Sequence, residues 1–248
     1  FIVFLGPPVA MLLVPFALIF MQPDLGTGLL LFFLGVVLLF ASGLRWWKVV
    51  AGIVGFLLVF WAAWEYMLKT YQKARLISFR YPDLDPFGAG YQITQSKIAL
   101  GSGGMFGKGF LNGTQAQLEF LPEKQTDFIF ALIAEEWGLF GAIFVLGIYI
   151  LLFIYLLSLS VRIPNQFGRL VVLGVSTNLF LYVIVNTAMV AGSLPVVGVP
   201  LPLISYGGTI MLTTMLSLGL VMSVYINRNV AIGRFSIEAE RGDQKELE

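Results

Sequence analysis

The sequence predicts an all-α polytopic membrane protein with about six transmembrane helices and one large extracytoplasmic loop. Three observations carry that prediction. Of 248 residues, 58% are hydrophobic and only 12% are charged, with a mean hydropathy of +0.88. A soluble domain of this size needs more polar surface than that. Apolar runs of about 20 residues recur, the length that crosses a hydrocarbon core. They are interrupted by a single long polar stretch, residues 69–127.

The spans follow in order. The first covers residues 1–21 and the second 26–44, joined by Gln22-Pro23-Asp24, a turn with a proline and a capping acid. A third runs over 47–68, after a basic connection at 45–48. Beyond the polar loop lie a fourth at 128–158, a fifth at 168–190 and a sixth at 203–226. Residues 228–248 form a charged cytoplasmic tail ending in ERGDQKELE, whose composition predicts disorder at its tip. The whole of 1–248 reads as one membrane domain. Phe1 opens in apolar sequence with no Met and no basic n-region, so no signal peptide is evident and the chain is expected to begin partway through a longer protein.

Charge sets the orientation. Arg45 and Lys48, Arg162 and Arg169, and Arg228 and Arg234 fall on one side in alternation, while 22–25 and 191–202 carry no Lys or Arg. The basic side is expected to be cytoplasmic and the loop 69–127 to face outward. Lys69, Lys73, Arg75 and Arg80 follow the third span on the outer side, where long loops obey the rule weakly; this cluster points to an anionic ligand.

Composition also excludes chemistry. With no Cys there are no disulfides, thiolate nucleophiles or Cys-held metals. With no His there is no Ser–His hydrolase and no imidazole shuttle, so any general base is expected to be a carboxylate. The net charge of +1 gives no sign of a nucleic-acid partner.

Within the loop, YQITQSKIAL (91–100) spaces its apolar residues as a short surface amphipathic helix carrying Gln92, Ser96 and Lys97. GSGGMFGKG (101–109) follows. It fails the phosphate-loop pattern, since Ser102 stands at the first glycine and Gly109 at the Ser/Thr. It is left as either a surface turn or a cradle that offers N–H groups and Lys108 to a phosphate.

Asp127 precedes FIFALIA and reads either as a helix cap or, with Thr126 capping in its place, as a residue facing the loop side. Glu123 and Lys124 lie close enough to tune it. Glu135 and Glu136 fall inside the apolar run, where acids face a cavity or a partner; Asn178 and Asn186 are candidate partners. Three prolines preclude a regular helix through 192–202, so AGSLPVVGVPLPLISYGGT (191–209) is expected to re-enter or cap a cavity, with Ser205 at the next helix entry.

The stretches QPDLGTG (22–28), GAGYQITQSKIALGSGGMFGKGFLNGTQAQLEFLPEKQTDFIFALIAEEWG (88–138) and NTAMVAGSLPVVGVPLPLISYGGT (186–209) together resemble the SEDS family of cell-wall polymerases, the RodA and FtsW proteins. LNGTQAQLEFLPE is similar to the elongation branch. The family usually has ten spans, so about four N-terminal helices are expected to be missing. Ser193, Ile210 and the Phe79–Pro82 stretch depart from its usual pattern.

The resemblance implies a peptidoglycan glycosyltransferase of the bacterial cytoplasmic membrane acting on lipid II, working with a class B penicillin-binding protein. In it, an acceptor 4-hydroxyl attacks the anomeric carbon of the growing chain and lipid pyrophosphate leaves. The family's essential aspartate falls on Asp127, as general base. Lys97, Lys108, Lys124 and Arg75 become candidates for the pyrophosphate, with Glu123, Gln92 and Ser96 as further substrate-binding candidates. Glu135, Glu136 and Ser205 remain cavity-lining candidates. A divalent cation such as Mg or Mn could share the leaving group's charge, though the sequence shows no ligand cluster. Two other classes fit broken helices and intramembrane acids: a lipid flippase using Glu135 or Glu136, and a non-catalytic scaffold for the penicillin-binding protein.

Overall fold

The computed structural model describes residues 2–22, 24–48, 50–55, 57, 77–81, 85, 88–117 and 123–229. Among these every regular element is a helix: α1 (Ile2–Met21), α2 (Leu25–Ala41), α3 (Ala89–Ser102), α4 (Thr114–Gln117), α5 (Ile129–Arg162), α6 (Gln166–Val190) and α7 (Gly208–Ile226). Three of them, α5, α6 and α7, are long and apolar enough to cross a membrane; Gly6–Met21, Gly26–Ala41 and Trp46–Gly55 are shorter apolar helices. Most of the expected third span, and with it Glu65, Lys69, Lys73 and Arg75, lies outside the described residues, as does the tail from 230.

The boundaries have local causes. Asp24 caps α2 by accepting the Thr27 N–H at 3.2 Å, the role its place after Pro23 suggests. Asn165 does the same for α6 through the Phe167 N–H at 3.1 Å. The sixth span begins later than the sequence suggests, because 201–206 are turns and Gly207 is the N-cap of α7.

α6 is the hub: it packs against α2, α3, α5 and α7, while α1 packs on α2 and α3 on α5. Apolar matching supplies little drive between helices in lipid, so close approach matters. Gly35 of α2 meets the Leu12 side chain of α1, and Gly168 of α6 meets Val224 Cγ1. The short connections make α1/α2 and α5/α6 antiparallel. One end of the bundle therefore gathers Gln22 and Asp24, α3, the loop 103–117, the turns at 123–128 and the segment 191–207. The other end holds 42–45, 163–165 and 227–229.

At 34 residues, α5 would be roughly 51 Å long, more than a bilayer core requires. It is broken at Gly138, where φ is +69° and ψ is −163°. Residues 139–162 then make a stretch of roughly 36 Å, and residues 129–137 a separate two-turn piece at the loop end.

Candidate functional site

The site is built around the turns that lead into α5. Phe128, buried at 1% exposure, occupies the N-cap position and makes no side-chain cap. The N-cap position thus falls one residue after Asp127 and two after Thr126. Thr126 instead donates its hydroxyl to the Glu123 carboxylate at 2.9 Å. Asp127 lies one residue before the cap and is half-buried.

Three consecutive carbonyls of this turn are held, two by the segment that follows α6 and the third by Asn186 of α6 itself. Gln125 O accepts the Tyr206 N–H at 2.9 Å. Thr126 O accepts the Ser205 hydroxyl at 2.5 Å. Asp127 O accepts Asn186 Nδ2 at 2.7 Å, and the same amide donates to Val199 O at 2.6 Å.

The holding segment is itself fixed. Leu201 N–H donates to Ser205 Oγ at 2.7 Å, Val197 N–H reaches Met189 Sδ at 3.3 Å, and Tyr149 of α5 donates its hydroxyl to Pro202 O. Its prolines and glycines leave these backbone groups without helical partners, and the neighbouring elements supply them, as non-helical backbone at this depth requires. The first motif docks here as well: Gly26, buried in α2, lies so close to Val197 that a Cβ would overlap it. Gly198, at φ +78°, faces the Asp127 carboxylate, whose Oδ2 lies 3.4 Å from where a Cβ would stand.

The glycine-rich turn does something neither sequence reading anticipated. The break at Gly138 frees the Glu135 and Glu136 carbonyls and the Leu139 and Phe140 amides, which would pair with one another in a continuous helix. The loop takes all four. Lys108 N–H and Gly109 N–H donate to Glu135 O and Glu136 O, both at 3.0 Å, while Leu139 N–H and Phe140 N–H donate to Gly104 O at 2.9 Å and Met105 O at 3.3 Å. The glycines permit this approach: a Cβ on Gly103 or Gly107 would overlap the Ala134 or Glu136 carbonyl. The amides of Lys108 and Gly109 are thus committed to helix carbonyls and do not face outward toward a phosphate in this conformation.

Glu135 is fully buried and its carboxylate is surrounded by loop donors. Lys108 Nζ lies at 2.7 Å, Thr114 Oγ1 at 3.0 Å, and the Gln115 N–H at 3.1 and 3.2 Å from the two oxygens. Its partner is the loop and not Asn178 or Asn186, which corrects that expectation. Glu136, 8% exposed, is carried on the adjacent helix position.

The remaining candidates separate. Lys97 is exposed on α3 and lies over Gly192, at the end of α6. Lys124 is half-buried and Glu123 exposed in the Asp127 turn, whereas Gln92 is half-buried on α3. The helix around it spans Ala89–Ser102, and its Gly90, Ile93, Ser96 and Ala99 stripe is buried against protein. Ser96, fully buried, donates to Ile93 O at 2.9 Å and Val190 O at 3.0 Å, so in this conformation its hydroxyl serves the packing of α3. Ser205, 3% exposed, likewise has both hydroxyl bonds on backbone atoms. Among the described residues no three Asp or Glu groups come together as a metal site.

Sequence reasoning missed Asn186 as the holder of Asp127, along with Tyr149, Gly198 and Thr114. A detectable signal existed for Asn186. An amide ahead of a proline-broken segment faces carbonyls that lack helical donors, and it supplies two.

A sequence profile of the FtsW/RodA/SpoVE family, described as cell cycle protein, matches residues 2–230. The peptidoglycan glycosyltransferase MrdB of Escherichia coli K12 is 47% identical over 225 residues, covering 91% of this chain and 61% of that protein. The peptidoglycan glycosyltransferase RodA of Treponema pallidum is 42% identical over 158 residues, 64% of this chain and 36% of that one. The chain thus spans about three fifths of the length of the first of these relatives.

Among solved structures, a chain of a peptidoglycan synthase complex, studied for the coordination of polymerization and crosslinking, aligns with a TM-score of 0.76 at 33% identity. That alignment covers 90% of this chain and 62% of the other. The rod shape determining protein RodA of Thermus thermophilus aligns with a TM-score of 0.61 at 29% identity, covering 91% and 57%. The chain belongs to the FtsW/RodA/SpoVE family.

Proposed function

We propose that this chain carries the catalytic part of a peptidoglycan glycosyltransferase that polymerises lipid II during cell elongation, in a bacterial cytoplasmic membrane and together with a class B penicillin-binding protein. The observation that carries the proposal is the Asp127 turn. A half-buried carboxylate stands at the loop end of the bundle, with three consecutive carbonyls tied to Asn186 of α6 and to the proline-broken segment after it, and a glycine facing its oxygens. An enzyme without His needs such a base, and a base works only when its position is fixed. Asp127 takes the proton of the acceptor 4-hydroxyl as that oxygen attacks the anomeric carbon, and the lipid pyrophosphate leaves.

Lys97 and Lys124 at the same end, with Arg75 from the outer loop sequence, are proposed to meet the leaving group's charge, and Lys108 sits in its pair with Glu135. A divalent cation, if one takes part, would be held largely by the pyrophosphate itself. Six spans with loop 69–127 outward match the gathering of Arg45, Lys48, Arg162, Arg169 and Arg228 at the opposite end of the bundle. In the flippase alternative Glu135 would have to give up these loop donors to carry a proton, which leaves Glu136 as its other candidate.

Full-length protein supplied with lipid II in detergent tests this. Wild type is expected to yield glycan polymer and Asp127→Ala to yield none. Polymerisation by Asp127→Ala at the wild-type rate would refute the assignment.

A further inference from the structure

We infer that Asn186 is a positioning residue for Asp127, with Ser205 as its second support; this rests on the reading of Asp127 as the base. Asn186 is fully enclosed, and its amide donates to the Asp127 carbonyl in the catalytic turn. Its amide nitrogen sits between two carbonyl acceptors, Asp127 O at 2.7 Å and Val199 O at 2.6 Å. Only the NH2 end can bridge two carbonyls, so the chemistry of the neighbours fixes which way the amide points. Among the described residues no donor pairs with its buried Oδ1.

The two carbonyls belong to the two parts of the site. Asp127 O is the backbone of the base itself. Val199 follows Gly198, whose Cα side faces the Asp127 carboxylate. One side chain therefore sets the spacing between the base and the backbone opposite it. Ser205 repeats the device one residue earlier, accepting from Leu201 N–H and donating to Thr126 O. The hydrogen bonds of both side chains go to backbone groups. Both act by holding the turn, and a carboxylate displaced by about 1 Å loses on the order of 10²-fold in rate without losing substrate affinity.

The experiment is steady-state polymerisation of lipid II by full-length protein in detergent. kcat and KM are measured for wild type, Asn186→Asp, Ser205→Ala and Asp127→Asn, with monodispersity and Tm recorded for each. Asn186→Asp keeps the shape but replaces both donors by acceptors. It is expected to lower kcat by about 10²-fold with KM within about threefold, and Ser205→Ala to lower kcat by about tenfold, in both cases in folded protein. A loss confined to KM, or a kcat within about twofold of wild type, overturns the inference. If Asn186→Asp is not monodisperse, Ser205→Ala decides on the same criteria. Asp127→Asn separates the two levels. If it polymerises normally, the base assignment itself falls; if it is dead while Asn186→Asp and Ser205→Ala keep wild-type kcat, only the positioning role falls.

Discussion

The Lys108–Glu135 pair shows how much a single residue identity decides. Glu135 is fully enclosed, while the Lys108 side chain keeps 28% of its exposure. Removing the lysine therefore strands a buried carboxylate, and removing the carboxylate's charge does not. Lys108→Met is expected to cost about 3 kcal/mol, at the low end for breaking a buried pair because Lys108 is partly wet. Glu135→Gln keeps an oxygen for Thr114 and the Gln115 N–H and is expected to cost about 1 kcal/mol. Chemical denaturation of the purified protein in detergent checks the order; equal losses would show that the pairing contributes nothing beyond neutral hydrogen bonds. Gly198 is the other decisive position. At φ +78° any side chain is strained by about 1–2 kcal/mol, and a methyl would also touch the Asp127 carboxylate. Gly198→Ala is expected to lower kcat in the lipid II assay more than it lowers Tm.

At the scale of elements, the break in α5 organises the loop end. Gly138→Ala puts a Cβ 2.6 Å from Met105 O in a backbone conformation that L residues avoid. Either the loop lifts or the helix straightens, and the four exchanged backbone bonds are lost together. Hydrogen exchange is expected to speed up at the amides of Lys108, Gly109, Leu139 and Phe140 as a group; faster exchange at only one pair would mean the loop and the helix break are independent. This exchange explains what the sequence could and could not convey. Long apolar runs and the Asp24 cap report local chemistry, so α1, α2, α5, α6 and α7 were legible. The prolines of 192–202 announced broken backbone for the same reason. The role of GSGGMFGKG was not legible: its glycines answer to carbonyls more than twenty residues away, and nothing in their own neighbourhood encodes that. Asn186 was visible as a polar residue in an apolar helix, but its partner depends on where the chain returns.

For the whole molecule, connectivity fixes relative sidedness. The loop 103–117 is bonded to the break at the start of 139–162, and the segment 191–207 is bonded to the turn just before α5. Both belong to one end, and residues 42–45 and 163–166 to the other, one crossing of roughly 36 Å away. The absence of cysteine makes this directly measurable, because each introduced thiol is the sole thiol in the chain. Asn112, Ser193, Ser42 and Gln166 are all exposed, so Asn112→Cys and Ser193→Cys mark the loop end while Ser42→Cys and Gln166→Cys mark the basic end. In intact cells with an opened outer barrier, a membrane-impermeant maleimide is expected to label the first two and to reach the second two only after permeabilisation. Labelling of Asn112→Cys and Gln166→Cys from the same side would break the single-crossing reading of α5. The reverse pattern, with Gln166→Cys labelled outside and Asn112→Cys protected, would keep the fold but turn Asp127 to the cytoplasm, away from the face where glycan strands are laid down.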